Sequence, residues 1–169
     1  MAYKTVAHLG FPPIDDVSTT QKVAVGFIAP IWDLTSVPPT GPIGGEAIYL
    51  KAGGAGIVVG SICELDPGAG AVLAPATGGV GPMCVSFNIV PSGSYAWFGI
   101  EGVIPVKCPN AVVVGAAVFM LAATPGSVDD AQVNGAQVLN AEFATLTGVP
   151  STGLALVNIN RPFHQGQIV

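Results

Sequence analysis

The segment Tyr95-Ala-Trp-Phe-Gly-Ile-Glu-Gly-Val-Ile-Pro-Val106 reads as one long strand with a break at Glu101-Gly102. Strand alternation places Tyr95, Trp97 and Gly99 on one face and Ala96, Phe98 and Ile100 on the other. Large rings dominate burial wherever they are enclosed, so this is read as a central strand whose aromatics fill the core. The same rings allow a second reading, in which Tyr95, Trp97 and Phe98 belong to a contact between subunits. In a thin-walled oligomer the two readings are compatible.

Outward from this strand the texture persists. Further strands are expected at 47–51, 57–65, 71–74, 83–89, 112–121 and 153–160, the last ended by Arg161-Pro162. Gly and Pro clusters separate them, among them Gly53-Gly54, Asp66-Pro67-Gly68, Pro91-Ser92-Gly93 and Thr124-Pro125-Gly126. Val (23) and Ile (12) outnumber Leu (10), and side chains branched at Cβ suit a pleated sheet better than a helix. Asn134-Gly135, set between Ala131-Gln-Val133 and Ala136-Gln-Val138, predicts a hairpin, because both central turn positions need positive φ. A helix over 127–145 capped by Ser127 competes with it, but Gly135 would cost that helix about 1 kcal/mol. Short strands with frequent turns predict an all-β fold, a compact sandwich or barrel.

Residues 1–45 differ. They hold six of the fifteen prolines, including Pro12-Pro13, Pro38-Pro39 and Pro42, and proline removes a ladder donor while fixing φ. The stretch nonetheless keeps Phe27, Ile28 and Trp32, which a disordered tail would not be expected to retain. It is read as an extended Pro-rich N-terminal arm that packs on its own domain or on a neighbour. The expected organisation is an arm over 1–45, a β-rich core over 46–162 and a short tail over 163–169. Deleting the arm is expected to leave a folded β domain with impaired assembly.

Composition narrows the function. With 169 residues and 16.9 kDa the chain makes one domain with a real core. Lys plus Arg number 5 and Asp plus Glu 10, so there is no electrostatic footprint for DNA or RNA, and nucleic-acid partners are excluded. Charged residues are 9% of the chain, against about 25% in an average soluble domain. Area scaling gives a monomer of this mass roughly 7,700 Å², so one charge falls on about 510 Å². Such a surface adheres unless it is covered, which predicts a subunit of an assembly. The longest apolar run, 111–123, is too short for a bilayer helix of about 20 residues and reads as a buried core segment, so no membrane partner is expected. The start Met1-Ala-Tyr-Lys-Thr-Val lacks the apolar core of a signal peptide, and the three cysteines, Cys63, Cys84 and Cys108, are an odd number in apolar contexts. Both features predict synthesis in a reducing cytoplasm.

Catalytic chemistry is thinly provisioned. His8 and His164 lie in no motif and read as solvated terminal residues. No Cys pair has metal-ligand spacing, and no His-Glu-x-x-His occurs; the three thiols read as buried apolar side chains rather than a metal site. Gly54-Ala-Gly56-Ile-Val-Val-Gly60 misses the dinucleotide fingerprint by one position and opens no helix. Glu64 and Asp66 are spaced for one face of a strand end, as paired carboxylates in glycoside hydrolysis are, but they run into Pro67-Gly68 and read as a solvated turn. Asp129-Asp130 reads as loop. No catalytic, cofactor-binding or metal residues are predicted, and no cofactor.

The order of segments nevertheless has a likeness. A Gly-x-x-x-Gly strand and an acidic turn precede Tyr95-Ala-Trp-Phe98 and Val103-Ile-Pro-Val106. Val112-Val-Val-Gly115 with Val118-Phe-Met-Leu121 follow, then a Pro-Gly turn and a closing Gly153-Leu-Ala-Leu-Val-Asn-Ile-Asn-Arg-Pro162. Over residues 46–162 this pattern resembles the head decoration, or capsid cement, proteins of tailed bacteriophages; residues 1–45 match nothing in it. The resemblance implies a non-enzymatic protein made in the host cytoplasm that binds the exterior of the virion at junctions between major capsid protein subunits, commonly as a homotrimer. It carries no catalytic residues over. Contacts are expected at Phe27, Ile28, Trp32, Tyr95, Trp97 and Phe98. Another structural virion component remains an alternative, as does a small β-barrel enzyme or carbohydrate-binding module with a polar pocket containing Glu64, Asp66 or His164.

Overall fold

A computed structural model describes residues 3–5, 11–33 and 44–166. Among them are eleven strands and no helix: β1 (Tyr3–Thr5), β2 (Ile28–Asp33), β3 (Gly44–Lys51), β4 (Ile62–Asp66), β5 (Gly70–Leu73), β6 (Gly81–Ser86), β7 (Tyr95–Lys107), β8 (Ala117–Met120), β9 (Val128–Asp129), β10 (Gln137–Phe143) and β11 (Leu154–His164). They join antiparallel in the order β1-β2-β3-β7-β6-β11-β10-β8-β9, with β4 between β5 and β6 and a further pairing of β7 with β11. The sheet curls until Ala52, just past β3, meets Ala71 of β5 in a parallel bridge. The fold is all-β and compact. His8, Pro38-Pro39 and Pro42 lie outside the described residues.

β7 serves all three hydrophobic clusters. Trp97 enters one cluster with Ile14, Ala29, Ile31, Ala47 and Tyr49. Ala96, Phe98 and Ile100 point the other way, into a second cluster with Leu50, Ile57, Cys63 and Cys84. Beyond Glu101, Ile104 and Val106 enter the third and largest, with Phe143, Met120 and Val157. The break expected at Glu101-Gly102 is the place where β7 changes partner. Glu46 faces Glu101 but Ala47 faces Gly99, so β7 carries one extra residue there. From Glu101 onward it pairs with β11 instead. A β-bulge of this kind bends a strand and increases its twist, which lets one strand line two cores. The bend brings backbones close: a Cβ on Gly45 would lie 1.9 Å from the Glu101 carbonyl oxygen, and Gly102 has φ 113°.

Part of the 1–45 segment, within residues 11–31, packs on its own domain. Ile14, Ala29 and Ile31 are buried, and the Trp97 indole N–H donates to the Pro12 carbonyl at 3.0 Å. Removing residues 1–45 would strip this cover from Tyr49 and Trp97, both fully buried, so the deletion is expected to destabilise the remaining domain rather than leave it intact.

Several boundaries move. The predicted strand over 112–121 contracts to β8, because Gly115 (φ 82°) turns the chain at 113–116 and leaves Val113 and Val114 64% and 54% exposed; the 111–123 run is therefore not wholly buried. Gly135 does adopt a turn conformation (φ 72°), but the strands on either side do not pair with each other, since β8 lies between β9 and β10. The competing helix is absent. β11 runs through Arg161-Pro162 instead of ending there, with Arg161 at φ 49° in a bulge opposite Asn140 at φ 58°.

Truncating Ile14 to alanine removes a side chain wedged between the N-terminal segment and the Trp97 cluster. A loss of about 2–4 kcal/mol in urea unfolding is expected. A change within a few tenths of a kcal/mol would mean that the segment does not cover this cluster in solution.

Candidate functional site

β2 has one buried and one outward face. Ala29 and Ile31 point into the Trp97 cluster, while Ile28 and Trp32 point away and remain 38% and 47% exposed. Ile28 sits opposite Ile48 of β3, so the outward row continues the face that carries Ile48 and Leu50. Phe27, just before β2, lies on the other side: it stacks on Phe11 with ring centroids 4.8 Å apart and meets Trp97 edge-on with ring centroids 6.4 Å apart. It stays 37% exposed, beside Val25 at 49%. Residues 25–32 thus present four large apolar side chains to solvent within one short segment.

The remaining predicted contact residues sit deeper. Tyr95 is half-buried, stacked on Tyr49 at 6.2 Å, with the Lys51 ammonium 5.9 Å from its ring centroid. Trp97 and Phe98 are fully enclosed within the chain's own core. For these two the core reading holds, because strand alternation sends them to opposite faces that are both covered.

Sequence reasoning missed the most constrained polar pair. His164 is not a solvated terminal residue: its side chain is fully buried, and Nδ1 lies 2.6 Å from Glu64 Oε1. Glu64 is likewise no free turn residue, since β4 carries it toward β11. Gly79 seals the pair, for a Cβ there would fall 1.8 Å from Glu64 Oε1 and 2.2 Å from His164 Nδ1. Nε2 of His164 is buried and has no hydrogen-bond partner among the described residues. An Nδ1–H imidazole donating to the carboxylate leaves Nε2 as a bare lone pair, which is less costly to bury than an orphaned N–H. A histidine oriented by a carboxylate is the base element of many hydrolases, but there a nucleophile or substrate adjoins the second nitrogen; here that nitrogen is shut in. The pair ties the end of β11 to β4. Asp66 lies apart from it, its carboxylate accepting the Gly68 and Ala69 backbone N–H groups at 2.7 and 2.8 Å.

Asp129, expected in a loop, is in β9 and buried, accepting from Asn110 Nδ2 at 2.6 Å and from the Asp130 N–H at 2.8 Å. A shallow polar cleft of about 590 Å³ opens over β10 and β11, lined by Asn140, Glu142, Asn158, Asn160 and Arg161. Asn140 and Arg161, both with left-handed backbone, line it, a feature the sequence signalled only as a terminating Arg-Pro. Arg161 also pairs with Glu46. Among the described residues no group of three His, Cys, Asp or Glu side chains is arranged to hold a metal ion.

Burial raises all three thiols. Cys63 is pushed up to about 12; Cys84 is raised by burial and by the neighbouring Cys63; Cys108 is raised chiefly by burial. Comparison with known protein families finds no match to this chain, and comparison with curated proteins finds none either.

Two outcomes follow. His164→Ala leaves the Glu64 carboxylate without its partner and should cost about 2–4 kcal/mol in chemical denaturation, whereas Glu64→Gln, which keeps an acceptor oxygen, should cost under about 1 kcal/mol; equal losses would contradict a buried hydrogen-bonded pair. The thiols set an alkaline limit. Unfolded cysteine ionises near pH 8.5, so above about pH 9 the unfolded chain sheds protons that buried Cys63 and Cys84 retain. Stability is then full below that range and falls as pH rises toward 12, by up to about 1.4 kcal/mol per pH unit per thiol. Urea midpoints compared at pH 8 and pH 10 should show the fall, and Cys63→Ala should flatten it; an unchanged slope would place Cys63 in water.

Proposed function

We propose that this chain is a capsid decoration protein: a non-enzymatic subunit, made in a host cytoplasm, that binds the exterior of a tailed-phage head at junctions between major capsid protein subunits and stiffens the shell. The carrying observation is the exposed apolar segment Val25, Phe27, Ile28 and Trp32 on a chain with only 9% charged residues. Exposed apolar side chains sharing one face of a charge-poor exterior support a protein contact, and here Ile28 and Trp32 share the outward face of β2 while Phe27 lies on the other side. A homotrimer fits, because closed cyclic symmetry covers sheet edges, and β1, next to β2, ends the strand order on this side. The role asked of the fold is mechanical, with many weak contacts acting together and no cofactor.

The polar cleft over β10 and β11 favours a second reading, a module that binds hydroxyl-rich ligands such as glycans. Asparagine amides with a guanidinium and a carboxylate supply the donors and acceptors that vicinal hydroxyls need.

Purified protein mixed with undecorated phage heads should co-sediment saturably, and its mass in solution should be that of a trimer. Ile28→Ser with Trp32→Ser should reduce shell binding or trimer formation at least tenfold while leaving the fold intact, as judged by unchanged thermal melting. A monomer that ignores shells but is retained on a glycan array would overturn the first reading in favour of the second.

A further inference from the structure

Cys63 of β4 and Cys84 of β6 stand directly opposite each other in the antiparallel register, flanked by the pairs Ile62–Val85 and Glu64–Met83. Opposite residues on neighbouring strands point to the same face, and both side chains lie in the same core cluster. Opposed Cα atoms in an antiparallel pair are about 4.5–5.5 Å apart, within the ~4.4–6.8 Å that a disulfide spans. Both cysteines are free. Cys108 belongs to a different cluster, where its sulfur lies 3.4 Å from the Thr147 hydroxyl. The odd thiol count therefore resolves into one facing pair and one separate residue.

We propose that Cys63 and Cys84 are a latent cross-link site, closed into a β4–β6 disulfide when the chain meets a small-molecule disulfide oxidant. The reaction balances as two exchanges. One protein thiolate attacks the oxidant, displacing one thiol and forming a mixed disulfide; the second protein thiolate then attacks the protein sulfur of that mixed disulfide and displaces the other thiol. Two protein thiols are oxidised, the oxidant is reduced to two thiols, and the protein loses two hydrogens.

Burial sets the timing. Neither sulfur is accessible in the closed fold, and burial holds both thiols protonated, so the closed protein resists exchange. Access comes through the β4–β5 hairpin. Among the described residues β5 joins only β4 within the sheet, apart from the single bridge at Ala52–Ala71, so this corner opens without unfolding β7. The site thus stays reduced in a reducing cytoplasm and is captured by oxidant during folding or on local opening, after which the link holds β5's only strand partner to the sheet.

The full chain incubated with oxidised glutathione at pH 8.5 should change slowly at 25 °C and faster as the temperature approaches its melting point. Refolding from urea in the same oxidant should go to completion. The product should be 2 Da lighter by two lost hydrogens, retain one titratable thiol in denaturant, map to Cys63–Cys84, and melt roughly 5 °C or more above the reduced protein. Cys84→Ala should yield a stable glutathione adduct at Cys63 in place of the ring. Four results would overturn the proposal: stable adducts on both cysteines in the natural sequence, a link involving Cys108, no link even on refolding, or a linked species that melts below the reduced one.

Discussion

Residues 95–107 form a strand with scarcely any solvent face, and the arrangement of the molecule follows from that constraint. An ordinary antiparallel strand buries one face and wets the other. β7 has Trp97 on one side and Phe98 on the other, both fully buried, and each needs its own covering layer. The layer over Phe98 comes from the curled β4, β5 and β6 region. The layer over Trp97 cannot come from the same elements, and the chain provides it from residues 11–31. What composition marks as an extended proline-rich arm, packed on its own domain or a neighbour, is in part the second wall of a core. Pro12 and Pro13 suit that duty, because they lie outside the strands and lose no ladder bond by lacking N–H donors.

The bulge at Glu101 is the second consequence. Without an extra residue β7 would continue along β3, and Ile104 and Val106 would have no third cluster to enter. Glycines at 45 and 102 permit the backbone approach that the bend requires. The bend also brings Glu46 and Glu101 directly opposite each other, a like-charge pairing that a sheet tolerates poorly. Arg161, displaced outward by its own bulge on β11, reaches Glu46 and offsets that repulsion. One irregularity in β7 therefore bears on another in β11, and the polar cleft lies beside the second.

Legibility from sequence tracks the range of the interactions. Strand alternation over 95–100, the turn conformation of Gly135 and the all-β class are local properties, and the residues state them; the turn at Gly115 lies inside an apolar run that reads as continuous strand. Pairing is not local. Asn134-Gly135 specifies a turn but not which strands flank it, and β8 inserts between them. His164 and Glu64 are 100 positions apart, so neither carries a sign that the other neutralises its burial. Cys63 and Cys84 look like two isolated apolar residues until the β4–β6 register places them opposite each other. Exposure is legible only in part: Phe27, Ile28 and Trp32 are apolar bulk in a proline-rich segment and are exposed, while Trp97 and Phe98, equally large, are fully buried, because size alone does not separate core from surface.

The placement of charge bears on the association proposed for residues 25–32. Bringing two surfaces together desolvates whatever ions lie between them, and an unpaired ion there costs several kcal/mol. This chain has few ions, and several are committed elsewhere: Lys22 to Asp16 at 2.6 Å, Arg161 to Glu46, and Lys51 over the Tyr95 ring. On the outward face of β2, Ile28 and Trp32 flank Pro30, and the acidic residue opposite Pro30 is Glu46, which already holds a cation. A partner covering Ile28 and Trp32 would bury apolar area at about 25 cal/mol per Å². The covered face of β2 points the other way, so such a contact needs no rearrangement of the core.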